Sequence, residues 1–200
     1  MKSVARLFAS ALLAGACIGI GATAYLLCEN RYIGAILFSV GLVMVKEFDL
    51  KLYTGYISRA LQYRLKGVFD AFIIFCGNVC GAFLLSILVC FSTIGEALQG
   101  KAYAIMQSKL SAGIASWFIM AMLCNVMIYL ATYRKDHILT LFGVTVFVLC
   151  GFEHSIADAL YIAVSGTYTS PHSWAFLTVV ALGNAVGGIL WHNIMKFAGD

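Results

Sequence analysis

The sequence predicts an all-α membrane protein with six transmembrane helices, arranged as two inverted three-helix repeats in which the second and fifth helices are interrupted. The first observation is composition: the 200 residues are 62% hydrophobic and 11% charged, whereas a soluble domain carries about 25% charged residues. The second is that the apolar residues form runs long enough to cross a bilayer. The third is that polar residues break two of these runs, about 100 positions apart.

The first three spans make up the first half of the chain. A crossing needs about 20 apolar residues, and residues 7–28 supply the first one. This run is too long for a signal peptide and more spans follow, so we expect it to be retained. The run 32–46 is shorter, is followed by the charged stretch KEFDLK, and regains helical character near 53–65. Residues 68–93 form the third span.

The second half follows the same pattern. Residues 111–133 form the fourth span, and the run 137–151 stops at the motif GFEHSIAD before resuming at 156–165. These runs of 15 and 10 residues are each too short to cross, and together they make one crossing. Residues 174–197 form the last span. Such short loops leave no room for an appended soluble enzyme module.

An internal repeat relates two halves, about 1–95 and 109–198, of a single transmembrane domain over residues 1–200. GNVCGAFLL at 77–85 recurs as GNAVGGILW at 183–191, in the third span of each half. Because three spans is an odd number, similar halves must insert in opposite directions. Breaks in lipid leave backbone groups unpaired at several kcal/mol each. We therefore expect the two breaks to meet near the midplane, where a substrate pathway would lie.

Basic residues collect on one predicted side of the membrane. That side receives Lys2, Arg6, Arg59, Arg64, Lys66, Arg134, Lys135 and Lys196, and the other receives Arg31, Lys101 and Lys109. Since cytoplasmic loops carry the excess of Lys and Arg, both termini are expected in the cytoplasm. The basic residues form no stripe with aromatic residues, so nucleic-acid binding is not expected.

Ionisable residues inside a membrane are functional candidates. Glu153, His154 and Asp158 interrupt the fifth span, and an imidazole titrates near neutral pH, so His154 is a candidate to meet a permeating ion. A loop at the membrane surface is the alternative interpretation. Thr54 occupies the first break, where its hydroxyl can donate to His154 or to an anion, or cap a helix. Lys109 is either a solvated anchor or a residue that concentrates anions at a vestibule.

Other polar and apolar residues near the breaks have two interpretations each. Amides within spans either join helices or line a pore, namely Asn78, Asn125 and Asn184. Apolar residues beside the breaks either pack or form hydrophobic constrictions that dewet a pore, namely Phe38, Leu42, Leu52 and Phe147.

Catalytic and metal motifs are not found. The metalloprotease pattern H-E-x-x-H needs two histidines one turn apart, and His137, His172 and His192 lie at span ends or in loops. The seven cysteines fit small buried hydrophobes better than a metal or disulfide framework. We expect no metal, no cofactor and no enzymatic activity.

Taken together, the motifs resemble the formate/nitrite transporter family over essentially the whole chain. The matching stretches are LFSVGLVMV…LYTG (37–55), GNVCGA (77–82), CNVMIYLA (124–131), GFEHSIAD (151–158) and LGNAVGG (182–188). The resemblance implies an aquaporin-like protomer, a homopentamer with one pore per subunit, passage of small monovalent anions, and a bacterial-type inner membrane.

The resemblance also implies roles for individual residues. His154 would be the central pore histidine and Thr54 its partner. Phe38, Leu42, Leu52 and Phe147 would form two constrictions. Lys109 would draw anions into the outer vestibule, with Glu153 and Asn125 as its buried supports.

Two positions depart from the family pattern. Lys51 replaces an acidic residue before the first break, and Asp158 replaces the Asn that ends the GFEHSIAN motif. We hypothesise that Lys51 pairs with Asp158 across the two breaks, with an altered substrate range as the alternative.

The sequence therefore predicts a channel or transporter for small monovalent anions such as formate and nitrite, with proton linkage through His154. Hydrosulfide, acetate and lactate suit the same pore chemistry. The rival interpretations are a neutral-solute channel for water, urea or ammonia, a subunit that scaffolds a neighbour, and an intramembrane enzyme.

Overall fold

A computed structural model describes residues 3–133 and 136–199, and these residues fold into nine α-helices and two short 3-10 turns. The helices are α1 Val4–Leu27, α2 Arg31–Glu47, α3 Tyr53–Ala60, α4 Arg64–Cys90, α5 Gly95–Ser111, α6 Ile114–Tyr133, α7 His137–Leu149, α8 Ser155–Val164 and α9 Pro171–Gly199. Three residues used to predict the orientation, Lys2, Arg134 and Lys135, lie outside the described residues.

Long apolar helices identify an integral membrane protein. Within the described ranges, four helical stretches are long and apolar enough to cross a membrane: Val4–Leu27, Tyr53–Cys90, Ile114–Tyr133 and Pro171–Gly199. Their outward faces carry large exposed apolar side chains, of which Leu88 is 70% exposed, and such a surface is unfavourable in water. The prediction of an all-helical membrane protein is confirmed.

Two pairs of short helices flank the predicted breaks. Residues 48–52 separate α2 from α3, and residues 150–154 separate α7 from α8. Side-chain caps begin both helices of the second pair, whereas α3 begins at Leu52 without a side-chain cap. The Asp136 carboxylate accepts the N–H groups of Ile138 and Leu139 at the start of α7, and His154 caps α8.

Helix α5 is an element that the sequence analysis did not predict. Its buried side chains are Leu98, Ala102 and Met106, spaced four residues apart on one face, and it packs against α8. Ile105 and Leu110 also pack against the core, but the glycine, polar and charged residues interspersed along α5 give the segment the composition of a loop. Because of α5, Lys109 lies in the last turn of a helix and not at a simple loop-to-span junction.

Close backbone approach joins α1 to α4 and α6 to α9. A Cβ atom added to Gly81 of α4 would lie 1.9 Å from the carbonyl oxygen of Leu12. A Cβ atom added to Gly187 of α9 would lie 2.3 Å from the carbonyl oxygen of Met122. Small residues allow this approach between membrane helices, and both glycines belong to the repeated G-N-x-x-G pattern.

Helices α2 and α7 run antiparallel at the centre. At one end, Arg31 donates to the carbonyl oxygen of Leu149. At the other end, Lys46 Nζ donates to the carbonyl oxygen of Asp136 at 3.0 Å and to the hydroxyl of Thr140. The side chains of Arg31 and Lys46 therefore link α2 to α7 at both ends of the pair.

Candidate functional site

The first break is closed by the side chain of Asn78. Its Oδ1 accepts the N–H of Tyr53 at 2.7 Å, and its Nδ2 donates to the carbonyl oxygens of Lys51 at 2.9 Å and Ala11 at 2.7 Å. These contacts satisfy backbone groups that lipid could not. A single amide thus holds the break between α2 and α3 against α1.

The second break is closed in the same way by Asn184. Its Oδ1 accepts the N–H of Ser155 at 3.0 Å, and its Nδ2 donates to the carbonyl oxygens of Glu153 at 2.9 Å and Ala121 at 2.8 Å. The sequence interpretation offered helix joining or pore lining for these amides. In the structure they join helices, and they do so specifically by satisfying the two breaks.

Thr54 and His154 meet where the two breaks come together. Thr54 Oγ1 lies 3.1 Å from His154 Nε2, and both residues are buried. His154 Nδ1 accepts the N–H of Ala157 at 3.2 Å. Because Nδ1 is an acceptor, these contacts assign the proton of the neutral ring to Nε2. The predicted contact is present, but the imidazole is the donor and the Thr54 hydroxyl is the acceptor.

Two cavities approach this contact from opposite ends of α2 and α7. The Lys109 cavity, of about 380 Å³, is lined by Phe38, Lys109, Phe147, Glu153, His154 and Asp158, among others. The Lys51 cavity, of about 370 Å³, is lined by Leu42, Lys46, Lys51, Leu52 and Arg59, among others. Both contain cationic side chains.

The four predicted constriction residues divide between these cavities. Phe38 and Phe147 border the Lys109 cavity, with their ring centroids 5.6 Å apart in an edge-to-face arrangement. Leu42 and Leu52 border the Lys51 cavity. All four are at least 96% buried. Phe147 also stacks on the His154 ring at 5.6 Å.

Lys109 sits between two carboxylates inside its cavity. Its Nζ donates to Glu153 Oε2 and lies 3.0 Å from Asp158 Oδ1. The backbone at Lys109 is held by Trp117, whose Nε1 donates to the Lys109 carbonyl oxygen at 2.7 Å. Helix α5 supplies the cation and α8 with its preceding break supplies both anions.

The hypothesis of a Lys51–Asp158 ion pair is wrong. Asp158 pairs with Lys109, whereas Lys51 lines the cavity at the other end. The physical reason is that α3 and α8 meet at their N-terminal ends, through Thr54 and His154. Lys51, just before α3, lines one cavity, and Asp158, in the first turn of α8, lines the other.

The expectation that Asn125 supports Lys109 is also wrong at the level of contacts. Asn125 lies on the face of α6 that packs against α3 and α9, where its Nδ2 donates to Ser58 Oγ at 3.4 Å. It also contacts the backbone near Gly188. Glu153 contacts Lys109 as predicted.

A metal centre is not indicated. Across residues 3–133 and 136–199, no group of three or more His, Cys, Asp or Glu side chains is placed to hold a metal ion. The polar side chains here are the imidazole of His154, the hydroxyl of Thr54, and the ammonium of Lys109 with its two carboxyl groups. The first three are hydrogen-bond donors that can stabilise an anion.

Broken membrane helices that meet at a polar contact, with a cavity leading toward it from each end, define a membrane channel or transporter. The family model described as formate/nitrite transporter matches residues 1–198. The chain belongs to the formate/nitrite transporter family.

Individual relatives agree with this assignment. The formate channel FocA of Haemophilus influenzae is 23% identical over 241 residues, covering 94% of this chain and 84% of that protein. A solved structure described as a pentameric formate channel with formate bound superposes with a TM-score of 0.80 at 23% identity, covering 98% of this chain and 97% of that one. A second, described as an FNT family ion channel, gives a TM-score of 0.88 at 18% identity, covering 100% and 92%. The fold is therefore that of these channels.

Proposed function

We propose that this protein is a channel or proton-linked transporter for small monovalent anions of the formate and nitrite class. The observation that carries the proposal is the buried Thr54–His154 contact, which lies between two cavities that both contain cations. Similarity to FocA, described as a formate channel, and to a channel structure with formate bound supports formate as a substrate.

The proposed architecture counts six crossings in two inverted three-helix repeats. Helices α2 and α3 together make the second crossing, and α7 and α8 together make the fifth. Equivalent contacts of Asn78 and Asn184 at the two breaks support the repeat, as does the antiparallel packing of α2 and α7.

The pentameric state of the similar formate channel supports a homopentamer with one pore per subunit. We place both termini in the cytoplasm of a bacterial-type inner membrane, from the distribution of basic residues.

The pore chemistry addresses the large cost of dehydrating an anion. Moving a carboxylate-sized ion into a low-dielectric interior costs on the order of 20 kcal/mol in the idealised case. The ammonium of Lys109 can lower this cost at the vestibule by donating a hydrogen bond, and the Nε2–H of His154 can do the same at the centre. The apolar residues on either side favour passage of the neutral acid, so flux of a weak acid rises as the external pH falls.

The test is uptake into proteoliposomes of formate, nitrite, hydrosulfide, acetate and lactate at two pH values. We expect formate and nitrite uptake to exceed that of empty liposomes and to rise at the lower pH. His154→Asn keeps a side chain that caps α8 but removes the Nε2–H donor. Loss of a buried hydrogen-bond donor is worth about 1–3 kcal/mol, so we expect formate uptake to fall by about tenfold or more.

His137→Asn is the matched control, because His137 lies at the exposed start of α7 and pairs with Glu47. It should leave uptake unchanged. Uptake that is indifferent to pH and to His154→Asn would overturn the proposal. Flux of water or urea without flux of any of the five anions would instead identify a neutral-solute channel.

A further inference from the structure

We propose that Glu153 and Asp158 form a proton-binding site on Lys109, in which the two carboxyl groups hold one proton between them. The site is defined by Lys109 of α5 and by the two carboxyl groups that contact the same Nζ atom. Its existence does not depend on which solute is transported. Only its consequence for transport rests on the proposed function.

The charges at the site do not balance without a proton. Of the described residues that line the Lys109 cavity, Lys109 alone is a Lys or Arg, and it faces two carboxylates. Glu153 is 5% exposed and Asp158 is 1% exposed. A buried carboxylate without a balancing cation is expensive, and the usual response is to bind a proton. One lysine balances one of the two carboxylates, so the other is the group to be protonated.

An unpaired atom points to the same conclusion. Both carboxylate oxygens of Asp158 are buried without a hydrogen-bond partner among the described residues, and Oδ1 has only the ion-pair contact with Lys109 Nζ at 3.0 Å. Leaving a buried polar atom unpaired costs about 1–3 kcal/mol. A proton on the carboxyl pair supplies a donor at this place, because a protonated carboxyl group donates through O–H to a neighbouring carboxylate.

The other titratable groups around the site do not supply the missing positive charge. They are His154 and Tyr161 from the break and α8, Tyr25 from α1, Cys124 from α6 and Cys150 at the end of α7. His154 Nδ1 accepts the N–H of Ala157 at the cap of α8, so Nδ1 does not carry the second proton that would make the ring positive. Tyrosine and cysteine side chains lose a proton to become negative, so they cannot offset a carboxylate.

The position of the site predicts how it affects transport. With one proton bound, the three side chains are neutral in total and an anion meets the ammonium of Lys109. Without it, their total charge is −1 and an anion is repelled. An entering anion can take the proton: the carboxyl O–H bond breaks, an O–H bond forms on the anion, and a neutral acid and a carboxylate result. A proton taken up from the bulk solution and carried through water in the cavity then protonates the carboxylate again, so one proton is consumed for each neutral acid formed. Asp158, which stands where the family motif has Asn, creates this second carboxylate.

Infrared spectroscopy of the purified protein tests the site directly, without any transported anion. At neutral pH, exposed carboxylates are ionised, so a carbonyl stretch of a protonated carboxylic acid that shifts in D₂O reports a buried proton. We expect this band in the unmodified protein. We expect Asp158→Asn and Glu153→Gln each to abolish it, because Lys109 balances the single carboxylate that remains. Asp158→Glu should retain it.

Asp70→Asn is the matched control, since Asp70 is a partly exposed carboxylate paired with Lys66 and its loss should leave the band intact. Absence of the band from the unmodified protein, or its persistence in a folded Asp158→Asn or Glu153→Gln protein, would overturn the proposal. Because two near-isosteric variants make the same prediction, misfolding of one leaves the other as the test.

In proteoliposomes, Asp158→Asn should flatten the pH dependence of formate uptake, and an unchanged dependence would refute the transport step. A protein without any anion flux that still shows the band would refute the proposed function alone.

Discussion

At the level of single residues, the hydrogen bonds of His154 decide what its ring can offer. Nδ1 accepts the N–H of Ala157, and Nε2 therefore carries the proton that faces Thr54. A second proton on Nδ1 would displace the cap of α8. The carboxyl pair of Glu153 and Asp158 can bind and release a proton without disturbing a helix end, so it is better placed than the imidazole for proton linkage.

The hydroxyl of Thr54 is expected to matter more than its methyl group. Thr54→Val keeps the shape but leaves the Nε2–H of His154 without its acceptor, which should destabilise the protein by about 1–3 kcal/mol and lower formate uptake. Thermal unfolding in detergent and uptake into proteoliposomes measure the two effects. Thr54→Ser retains the hydroxyl and should behave nearly as the unmodified protein. Equal behaviour of Val and Ser variants would show that the hydroxyl contact is unimportant.

At the level of elements, each break depends on one amide from a different helix. Asn78 and Asn184 each bond one N–H and two carbonyl oxygens of the backbone. The repeated motif G-N-x-x-G places a glycine one turn from each amide, so that the helix that carries the amide approaches its neighbour closely. The repeated motif in the sequence indicated that the two asparagines are important. It did not indicate that they bind the backbone of the breaks.

Removal of either amide should be far more harmful than removal of a surface amide. Asn78→Ala or Asn184→Ala leaves three backbone groups unpaired, at about 1–3 kcal/mol each, and we expect a large drop in melting temperature or loss of folded protein. Asn30→Ala is the control, because Asn30 caps α2 at an exposed site through the N–H groups of Tyr32 and Ile33. Loss of a cap costs about 1 kcal/mol. Comparable losses for all three variants would contradict the role assigned to the buried amides.

Helix α5 shows why an element can be missed. Its fully buried side chains are Leu98, Ala102 and Met106, and Ile105 and Leu110 are partly buried against the core. Composition alone cannot separate such a helix from a loop, whereas the four-residue spacing does. The consequence is functional, since α5 carries Lys109 into contact with α8.

At the level of the whole molecule, close packing of backbones holds the spans together. Lipid tails are as apolar as leucine, so van der Waals contact and interhelical hydrogen bonds replace the hydrophobic effect. Gly81 and Gly187 lie where α4 meets α1 and where α9 meets α6. Both glycines belong to the G-N-x-x-G pattern that occurs twice in the sequence.

A methyl group at Gly81 should separate α1 from α4. Gly81→Ala places a Cβ atom 1.9 Å from the carbonyl oxygen of Leu12, a contact that forces the helices apart, so we expect a lower melting temperature. Gly100→Ala in α5 meets nothing within 4 Å, and alanine favours a helix over glycine by about 1 kcal/mol, so its stability should stay equal or rise. A Gly81→Ala protein as stable as the unmodified one would show that α1 and α4 can move apart without loss of stability.

Much of the architecture follows from local patterns along the chain. The predicted run 32–46 corresponds to Arg31–Glu47, and 137–151 to His137–Leu149. The predicted fourth span, 111–133, corresponds to Ile114–Tyr133. Apolar length, charge and cap residues are local properties, and each helix satisfies its own backbone hydrogen bonds, so a single segment determines its own bounds to within a few residues.

Partners across the fold were harder to predict. The contact of Thr54 with His154 was predicted because repeat symmetry relates the two breaks, whereas Asp158 was assigned to Lys51 and Asn125 to Lys109. An ion pair depends on where two helices place their side chains in space, and Lys109 and Asp158 belong to different helices, separated in sequence by all of α6 and α7.

The sequence by itself determined that this is a helical membrane protein of the formate/nitrite transporter family with breaks in two helices, because hydrophobic length and motif spacing are written in consecutive residues. Only the tertiary structure decided that Asn78 and Asn184 close those breaks and that Lys109 meets two carboxylates. The reason is physical: a buried polar group must find a partner, and which partner is within reach depends on how the helices pack.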